Sequence, residues 1–225
     1  AGETELTLER DLALDGLDVL FVIDEENLTD DIIAHYHSHE DFSIILLGNT
    51  PNTLVGRPEW MVYGLPEYFR KPLVRGAHAA VSPRPEAMII ELALLPLAKK
   101  ALISAPVAVD VATPAPMRLS DAAAEASEIL SAINTIPVEI TAHAAAQPPY
   151  NRIDLVAKLP VMPAIEEVER VYAEAYDDHN FVHVLPAGVA IHEDLRGSNK
   201  CLLQLSKADG LLTVKASLDA LTKGC

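Results

Sequence analysis

The sequence predicts a fold that combines α/β and α+β architecture. A βαβ piece of a parallel sheet is expected within residues 1–80, and a mixed-sheet α+β domain within residues 81–225. The first part is predicted because residues 17–47 show strand, helix and strand patterns in close succession. The second part is predicted because several short apolar runs and three helical patterns follow without a further βαβ repeat. The chain therefore divides near residue 80.

The first elements of the chain are two buried strands. Leu17–Ile23 and Ser43–Leu47 are short, mostly apolar runs, which favour parallel strands covered on both faces. Between them Asp30–His39 has helical spacing, with Thr29 as a candidate N-cap. Residues 49–84 contain many Pro, Gly and Arg residues and little periodicity. We therefore predict connecting structure there.

The second part begins with a helix at Glu86–Leu95, for which Pro85 suits the first turn. Its faces are almost wholly apolar, so we expect it to be buried. Two more helices are predicted at 121–133, with Ser120 as N-cap, and at 164–176. Strands are predicted at 106–112, 138–142, 153–159, 182–185, 200–205 and 211–216. Asp209-Gly210 is a hairpin turn signal between the last two strands.

Composition excludes several function classes. The chain has 225 residues, 17 Lys+Arg against 33 Asp+Glu, a formal net charge of −16 and 50% hydrophobic residues. This is too apolar for a disordered chain, and too acidic to favour nucleic acid or an anionic membrane. No apolar run is long enough to span a bilayer. Two cysteines do not form a disulfide framework, so we expect a soluble protein in a reducing compartment, the cytoplasm or an organelle matrix.

Local clusters give few candidates for chemistry. His35, His37 and His39 are weak metal ligands, because residues two apart on a helix point in different directions, and a solvated helix end is favoured. Cys201 lies within a predicted strand, where a packed structural thiol is favoured over a nucleophile. His143 follows a strand and could act as a base, but no nucleophile has local support. No phosphate-binding glycine loop, zinc-protease motif or nucleophile elbow is present.

Six blocks of the sequence, taken together, resemble one protein family. The N-acetyl-γ-glutamyl-phosphate reductases of arginine biosynthesis, in the semialdehyde dehydrogenase superfamily, carry similar blocks in the same order. The resemblance implies a Rossmann-like nucleotide-binding part, a semialdehyde-dehydrogenase dimerisation-type domain, NADPH as cofactor and a cysteine nucleophile. The blocks are Leu17-Asp-Val-Leu-Phe21, Val62-Tyr-Gly-Leu-Pro-Glu67, Leu92-Ala-Leu-Leu-Pro-Leu-Ala-Lys99, Val171–Pro186, Gly197-Ser-Asn-Lys-Cys201 and Leu218-Asp-Ala-Leu-Thr-Lys-Gly224.

The sequence departs from that family in the segments where catalytic and cofactor-binding residues are expected. The cysteine stretch Asn-Pro-Gly-Cys is replaced by Ser82-Pro-Arg-Pro85, so Pro85 stands where the thiol is expected. The base stretch His-x-His-x-Pro-Glu-Ile is matched by 123–129, with Ala123 and Glu125 at the histidine positions. The glycine-rich serine loop reads Val111-Ala-Thr-Pro-Ala-Pro116, and no glycine-rich dinucleotide turn is present. The chain also stops at Cys225, where the family continues.

Three hypotheses follow from the resemblance and these departures. The favoured one is a non-catalytic relative without a cofactor, acting as a structural or protein-interaction subunit in a homo-oligomer or a larger complex. The second is a fragment or split form of an NADPH-dependent reductase, for which NADP would be the cofactor. The third is a small carboxylate-binding module, with Arg84, His143 and Arg152 lining the cleft.

Overall fold

The computed structural model describes residues 18–24, 43–48, 61–114, 119–146, 148, 150–191 and 195–224. Within them the chain forms one parallel and one mixed β-sheet with helices around a shared core. The mixed α/β and α+β class predicted from the sequence is confirmed. The predicted helix 30–39, with His35, His37 and His39, lies outside the described residues, as does Cys225.

The parallel sheet contains four strands, in the order β1-β2-β4-β3. The strands are β1 (Val19–Asp24), β2 (Ser43–Gly48), β3 (Met61–Tyr63) and β4 (Ala79–Val81), and helix α1 (Pro66–Val74) lies between β3 and β4. Every neighbouring pair is parallel. The parallel pairing predicted for β1 and β2 is thus confirmed. The predicted burial of β1 is wrong, because Val19, Phe21 and Ile23 lie on an exposed face of the sheet. The prediction of connecting structure over residues 61–81 is wrong, because three-residue strands and a proline-interrupted helix are too short to show periodicity.

The mixed sheet has six strands, in the order β6-β5-β7-β10-β9-β8. Its centre is antiparallel, and β6 and β8 pair in parallel with β5 and β9 at the two edges. At the β9–β10 turn Asp209 and Gly210 both have positive φ, 51° and 78°, as the sequence signal requires. The strands are β5 (Val107–Ala112), β6 (Ile140–Ala144), β7 (Arg152–Pro160), β8 (Val182–Leu185), β9 (Cys201–Ala208) and β10 (Leu211–Asp219).

Three helices belong to the second part of the chain. They are α2 (Pro85–Lys99), α3 (Leu119–Ile133) and α4 (Ile165–Tyr176). All three are predicted by the sequence, but α3 already includes Ser120, so Ser120 is not its N-cap. Helix α2 also runs four residues past the predicted end. Helix ends depend on tertiary contacts that local patterns do not encode.

Helix α2 is the centre of the core. Its residues 86–98 are all buried, and one apolar cluster joins them to side chains of both sheets. Tyr172 and Tyr176 of α4 donate hydroxyl hydrogen bonds to the carbonyls of Ala93 and Leu92, at 2.5 and 2.6 Å. The predicted burial of this helix is therefore confirmed. Within the described ranges, no helix has the length and apolarity needed to cross a membrane.

Candidate functional site

The N-terminal end of α2 is where the resemblance expects a nucleophile. Arg84 precedes the helix in an extended conformation, with φ −62° and ψ 142°, and Pro85 is the first helical residue. The Arg84 carbonyl accepts the first helical hydrogen bond, from the Met88 amide at 2.8 Å. Proline suits this position because its missing N–H would have no partner there. The local sequence therefore builds a regular helix start without a reactive side chain at residue 85.

A turn after β10 covers Pro85. A Cβ atom placed on Gly224 would lie 2.7 Å from Pro85 Cβ and 2.7 Å from the Ala220 carbonyl oxygen. Only glycine allows so close an approach without displacing its neighbours. Lys223 and Gly224 are buried. The N-terminal end of α2 is thus in van der Waals contact with the turn after β10.

An ion pair joins this helix start to α3. Arg84 Nη1 lies 2.7 Å from Glu125 Oε2, and the Arg84 backbone N–H donates to Glu125 Oε1 at 3.3 Å. Glu125 is 1% exposed. The two stretches that the resemblance assigns to nucleophile and base therefore lie side by side. In this chain they are connected by a guanidinium and a carboxylate.

Tyr63 links that ion pair to a second buried carboxyl group. Its hydroxyl oxygen lies 2.7 Å from Glu125 Oε1 and 2.7 Å from Glu91 Oε1. Gly64, which follows Tyr63, lets the chain pass close to β4. A Cβ on Gly64 would be only 2.8 Å from the Val81 carbonyl oxygen of β4. Burial, followed by the Glu91 and Glu125 charges, raises the pKa of Tyr63 well above its ordinary value. The phenol is therefore un-ionised at neutral pH.

Both glutamates have raised pKa values. Burial is the main cause for Glu91, with the neighbouring Glu125 charge adding to it. Burial also raises the pKa of Glu125, although the hydrogen bonds from Tyr63 and Arg84 lower it in part. Both carboxyls contact the Tyr63 phenol, but among the described residues only Glu125 has a cation, Arg84, in hydrogen-bond contact.

Two further buried contacts surround the helix start. Lys223 Nζ lies 2.7 Å from Glu67 Oε1, with both side chains almost fully buried. Thr113 donates its hydroxyl hydrogen to Glu86 Oε1 at 2.7 Å. The polar groups near the end of α2 are thus engaged with one another.

The thiol of Cys201 lies elsewhere. It is fully buried at the start of β9, and burial raises its pKa to about 12. A catalytic thiol needs a lowered pKa and access to substrate. The sequence prediction of a packed structural cysteine in a strand is therefore confirmed.

Comparisons with known proteins agree with this fold. The N-acetyl-gamma-glutamyl-phosphate reductase of Parabacteroides distasonis is 28% identical over 257 aligned residues, covering 99% of this chain and 76% of the relative. The N-acetyl-gamma-glutamyl-phosphate reductase of Bacteroides thetaiotaomicron is 27% identical over 249 aligned residues, with the same coverage of both chains. The chain is therefore similar to N-acetyl-γ-glutamyl-phosphate reductases over almost its whole length. No family model matches it.

Solved structures of semialdehyde dehydrogenases have a similar fold. Aspartate semialdehyde dehydrogenase II from Vibrio cholerae superposes with a TM-score of 0.66 at 10% identity, covering 93% of this chain and 76% of that one. Aspartate semialdehyde dehydrogenase from Candida albicans, solved with NADP, superposes with a TM-score of 0.66 at 12% identity. The match covers 92% of this chain and 74% of that one. At these identities the likeness shows the fold alone. The alignment to the Parabacteroides reductase is longer than this chain, so the reductase carries residues opposite internal gaps.

The remaining predicted site residues lie in separate surroundings. Arg84 pairs with Glu125, and Arg152 contacts Asp154 Oδ2 through Nε at 2.9 Å and Nη2 at 2.6 Å. His143 is exposed on the edge strand β6. Their role in binding a carboxylate stays a prediction. Within the described ranges no group of three His, Cys, Asp or Glu side chains could hold a metal ion.

Sequence reasoning did not identify Tyr63, Glu67, Glu91 or Lys223 as members of this cluster. Glu91 gave the clearest available signal, since it is a charged residue within the apolar run of a helix predicted to be buried. Its partner Tyr63 comes from a three-residue strand of the other sheet. Such a pairing cannot be read from local patterns.

Proposed function

We propose that this chain is a non-catalytic relative of the N-acetyl-γ-glutamyl-phosphate reductases that acts as a structural subunit. One observation carries the proposal. At the end of α2, where the family's thiol is expected, Pro85 is packed under Gly224 and Arg84 pairs with Glu125. Residues on both sides of the expected site therefore contact other parts of the chain.

Among its described residues, this chain lacks the groups needed to form a thioester intermediate. A thiolate must attack the acyl phosphate before a hydride can reduce the acyl group, and proline supplies no nucleophile. Cys201 cannot substitute, because its thiol is buried and its pKa is about 12. The carboxylate of Glu125 is held by Arg84 and Tyr63 instead of being free to accept a proton. Each loss removes a separate part of the reaction.

A surface for self-association supports the structural role. The outer face of the six-stranded sheet carries Asp110 and Lys215 on either side of Val156, each aligned with it across the strands. Asp110 and Lys215 are exposed, and Val156 is half-exposed. A two-fold axis near Val156 would bring Asp110 of each copy towards Lys215 of the other. We therefore infer that a second copy of this chain binds there.

A second candidate is a part of a working reductase. It is favoured by the coverage, since the chain matches 76% of the length of the curated relatives. NADPH binding discriminates between the two candidates. NADPH fluorescence titrated with the purified full chain should remain unchanged if the chain is non-catalytic, whereas saturable micromolar binding would support the reductase.

Native mass spectrometry tests the structural role. We expect the full chain to form a dimer, and the charge reversal Lys215→Glu to shift it towards monomer by placing an acidic group opposite Asp110. The matched control is Lys200→Glu, an exposed charge outside this row. A strictly monomeric wild-type chain, or equal dissociation in both variants, would contradict the proposal.

A further inference from the structure

The hydrogen bonds around Tyr63 require a proton that ionised side chains do not supply. The phenol oxygen has close contacts of 2.7 Å with one oxygen of Glu91 and one of Glu125. A hydrogen bond at this distance needs a hydrogen between the two oxygens. Tyr63 has a single hydroxyl hydrogen and can donate to only one carboxyl. The other carboxyl must therefore be protonated and donate to the phenol oxygen.

Glu91 is the carboxyl that holds the proton. Glu125 receives a charged hydrogen bond from Arg84, which stabilises its ionised form. Glu91 has no cation in hydrogen-bond contact among the described residues, and its Oε2 has no hydrogen-bond partner there. It is also 0% exposed, in the middle of the buried stretch 86–98 of α2. An isolated carboxylate in such a place is strongly unfavourable.

We propose that protonated Glu91, hydrogen-bonded through Tyr63 to Glu125, is a proton-dependent clamp that holds the parallel sheet against helices α2 and α3. The three side chains come from β3, α2 and α3. The chain of donors runs from the Glu91 carboxyl to the phenol, and from the phenol to Glu125. Loss of the proton leaves two carboxylates around one phenol, and one of the two contacts is lost.

Among the groups that face Glu91 from neighbouring elements, the carboxylates of Glu125 and Glu67 raise its pKa, and the hydrogen bond from Tyr63 lowers it. Tyr63 on β3, Glu67 on α1, Glu125 on α3 and Tyr176 on α4 all interact with it electrostatically. Lys223 neutralises Glu67 directly, and Arg84 neutralises Glu125. Neither cation forms a hydrogen bond or an ion pair with Glu91 within the described part of the chain.

The sign of the pH dependence follows from linkage. Burial raises the pKa of Glu91 in the folded chain, and in the unfolded chain the ordinary value is about 4.3. Between these two values unfolding releases a proton, so stability is complete below the ordinary value and falls as the pH rises towards the folded value. One proton makes the unfolding equilibrium constant increase about tenfold per pH unit.

The variant Glu91→Gln tests the clamp, because its amide N–H can donate to the phenol at every pH. Urea unfolding of the wild type and the variant is measured from pH 5 upward. The unfolding constant of the wild type, divided by that of the variant, is expected to rise about tenfold per pH unit until the folded pKa is reached. Glu166→Gln, on the exposed side of α4, controls for the loss of one acidic group. A ratio that does not change with pH would overturn the proposal.

A second measurement does not depend on the folding of a variant. Infrared spectra of the native wild-type chain, with glutamate carboxyls isotope-labelled, should show the carbonyl stretch of a protonated carboxylic acid at neutral pH. The band should disappear as the pH is raised. Its absence at neutral pH would overturn the assignment of a proton to Glu91.

Discussion

At the scale of single residues, a continuous set of hydrogen bonds runs from Arg84 near the surface to Glu91 in the core. Arg84 is half-buried, Glu125 and Tyr63 are buried, and Glu91 is enclosed on all sides. From a recognisable pattern the sequence predicts that Pro85 and Glu125 replace a nucleophile and a base, and this assignment stays a prediction. The sequence did not show that Glu125 is joined to Tyr63, since that contact spans 62 residues.

Tyr63→Phe should destabilise the chain, because it leaves two buried carboxyls without their shared hydroxyl. We expect a loss of about 1–3 kcal/mol in the free energy of unfolding, measured by urea denaturation. The matched control is Tyr68→Phe, an exposed tyrosine of α1 that keeps its edge contact with Phe69. Equal effects of the two substitutions would argue against a buried role for the Tyr63 hydroxyl.

Lys223→Met should have a large effect for a related reason. It leaves the buried Glu67 carboxylate without its cation, and such losses amount to about 3–5 kcal/mol. The double variant with Glu67→Gln should recover part of the loss. Lys100→Met, which removes an exposed pair with Glu174, should change the unfolding midpoint little. A small effect of Lys223→Met would show that Glu67 is solvated.

At the scale of secondary-structure elements, the long strands and helices were predictable and the short ones were not. Strands β1, β2, β5 and β7 have enough apolar residues for their pattern to be recognised. Strands β3 and β4 have three residues each and exist because neighbouring strands pair with them. The sequence therefore predicts the position of an element only where the element is long enough to show an apolar pattern.

The packing of the turn after β10 against α2 gives a prediction at this scale. Gly224→Ala places a methyl group 2.7 Å from Pro85 Cβ and from a backbone carbonyl, so one of the elements must move. We expect a loss of about 1–3 kcal/mol in unfolding free energy. Leu221→Ala, an exposed change in the same turn, should stay within about 0.5 kcal/mol of the wild type. A neutral Gly224→Ala would show that the turn does not cover Pro85.

Strand β9 protects its cysteine from reagents. With a pKa of about 12 and full burial, Cys201 should resist alkylation in the native chain at pH 8 and react only after unfolding. Peptide mass spectrometry after timed treatment with iodoacetamide separates Cys201 from Cys225. Rapid native alkylation of Cys201 would place the thiol in an accessible site.

At the scale of the whole molecule, the chain keeps the semialdehyde dehydrogenase fold while its helix start differs from the expected pattern. The likeness to the Vibrio cholerae structure covers 93% of this chain. The apolar blocks that carry this fold could be recognised in the sequence, because each is a continuous run of residues. The assembled contacts around Pro85 required three-dimensional information, since they unite β3, α2, α3 and the end of β10.

The proposal that this chain does not catalyse the reductase reaction is tested most directly by an activity assay. The purified full chain is incubated with NADPH and N-acetyl-γ-glutamyl phosphate, and NADPH oxidation is followed beside a relative such as the Parabacteroides reductase. The account predicts no oxidation above the protein-free rate. Substrate-dependent oxidation that is lost in Cys225→Ser or Cys201→Ser would contradict it.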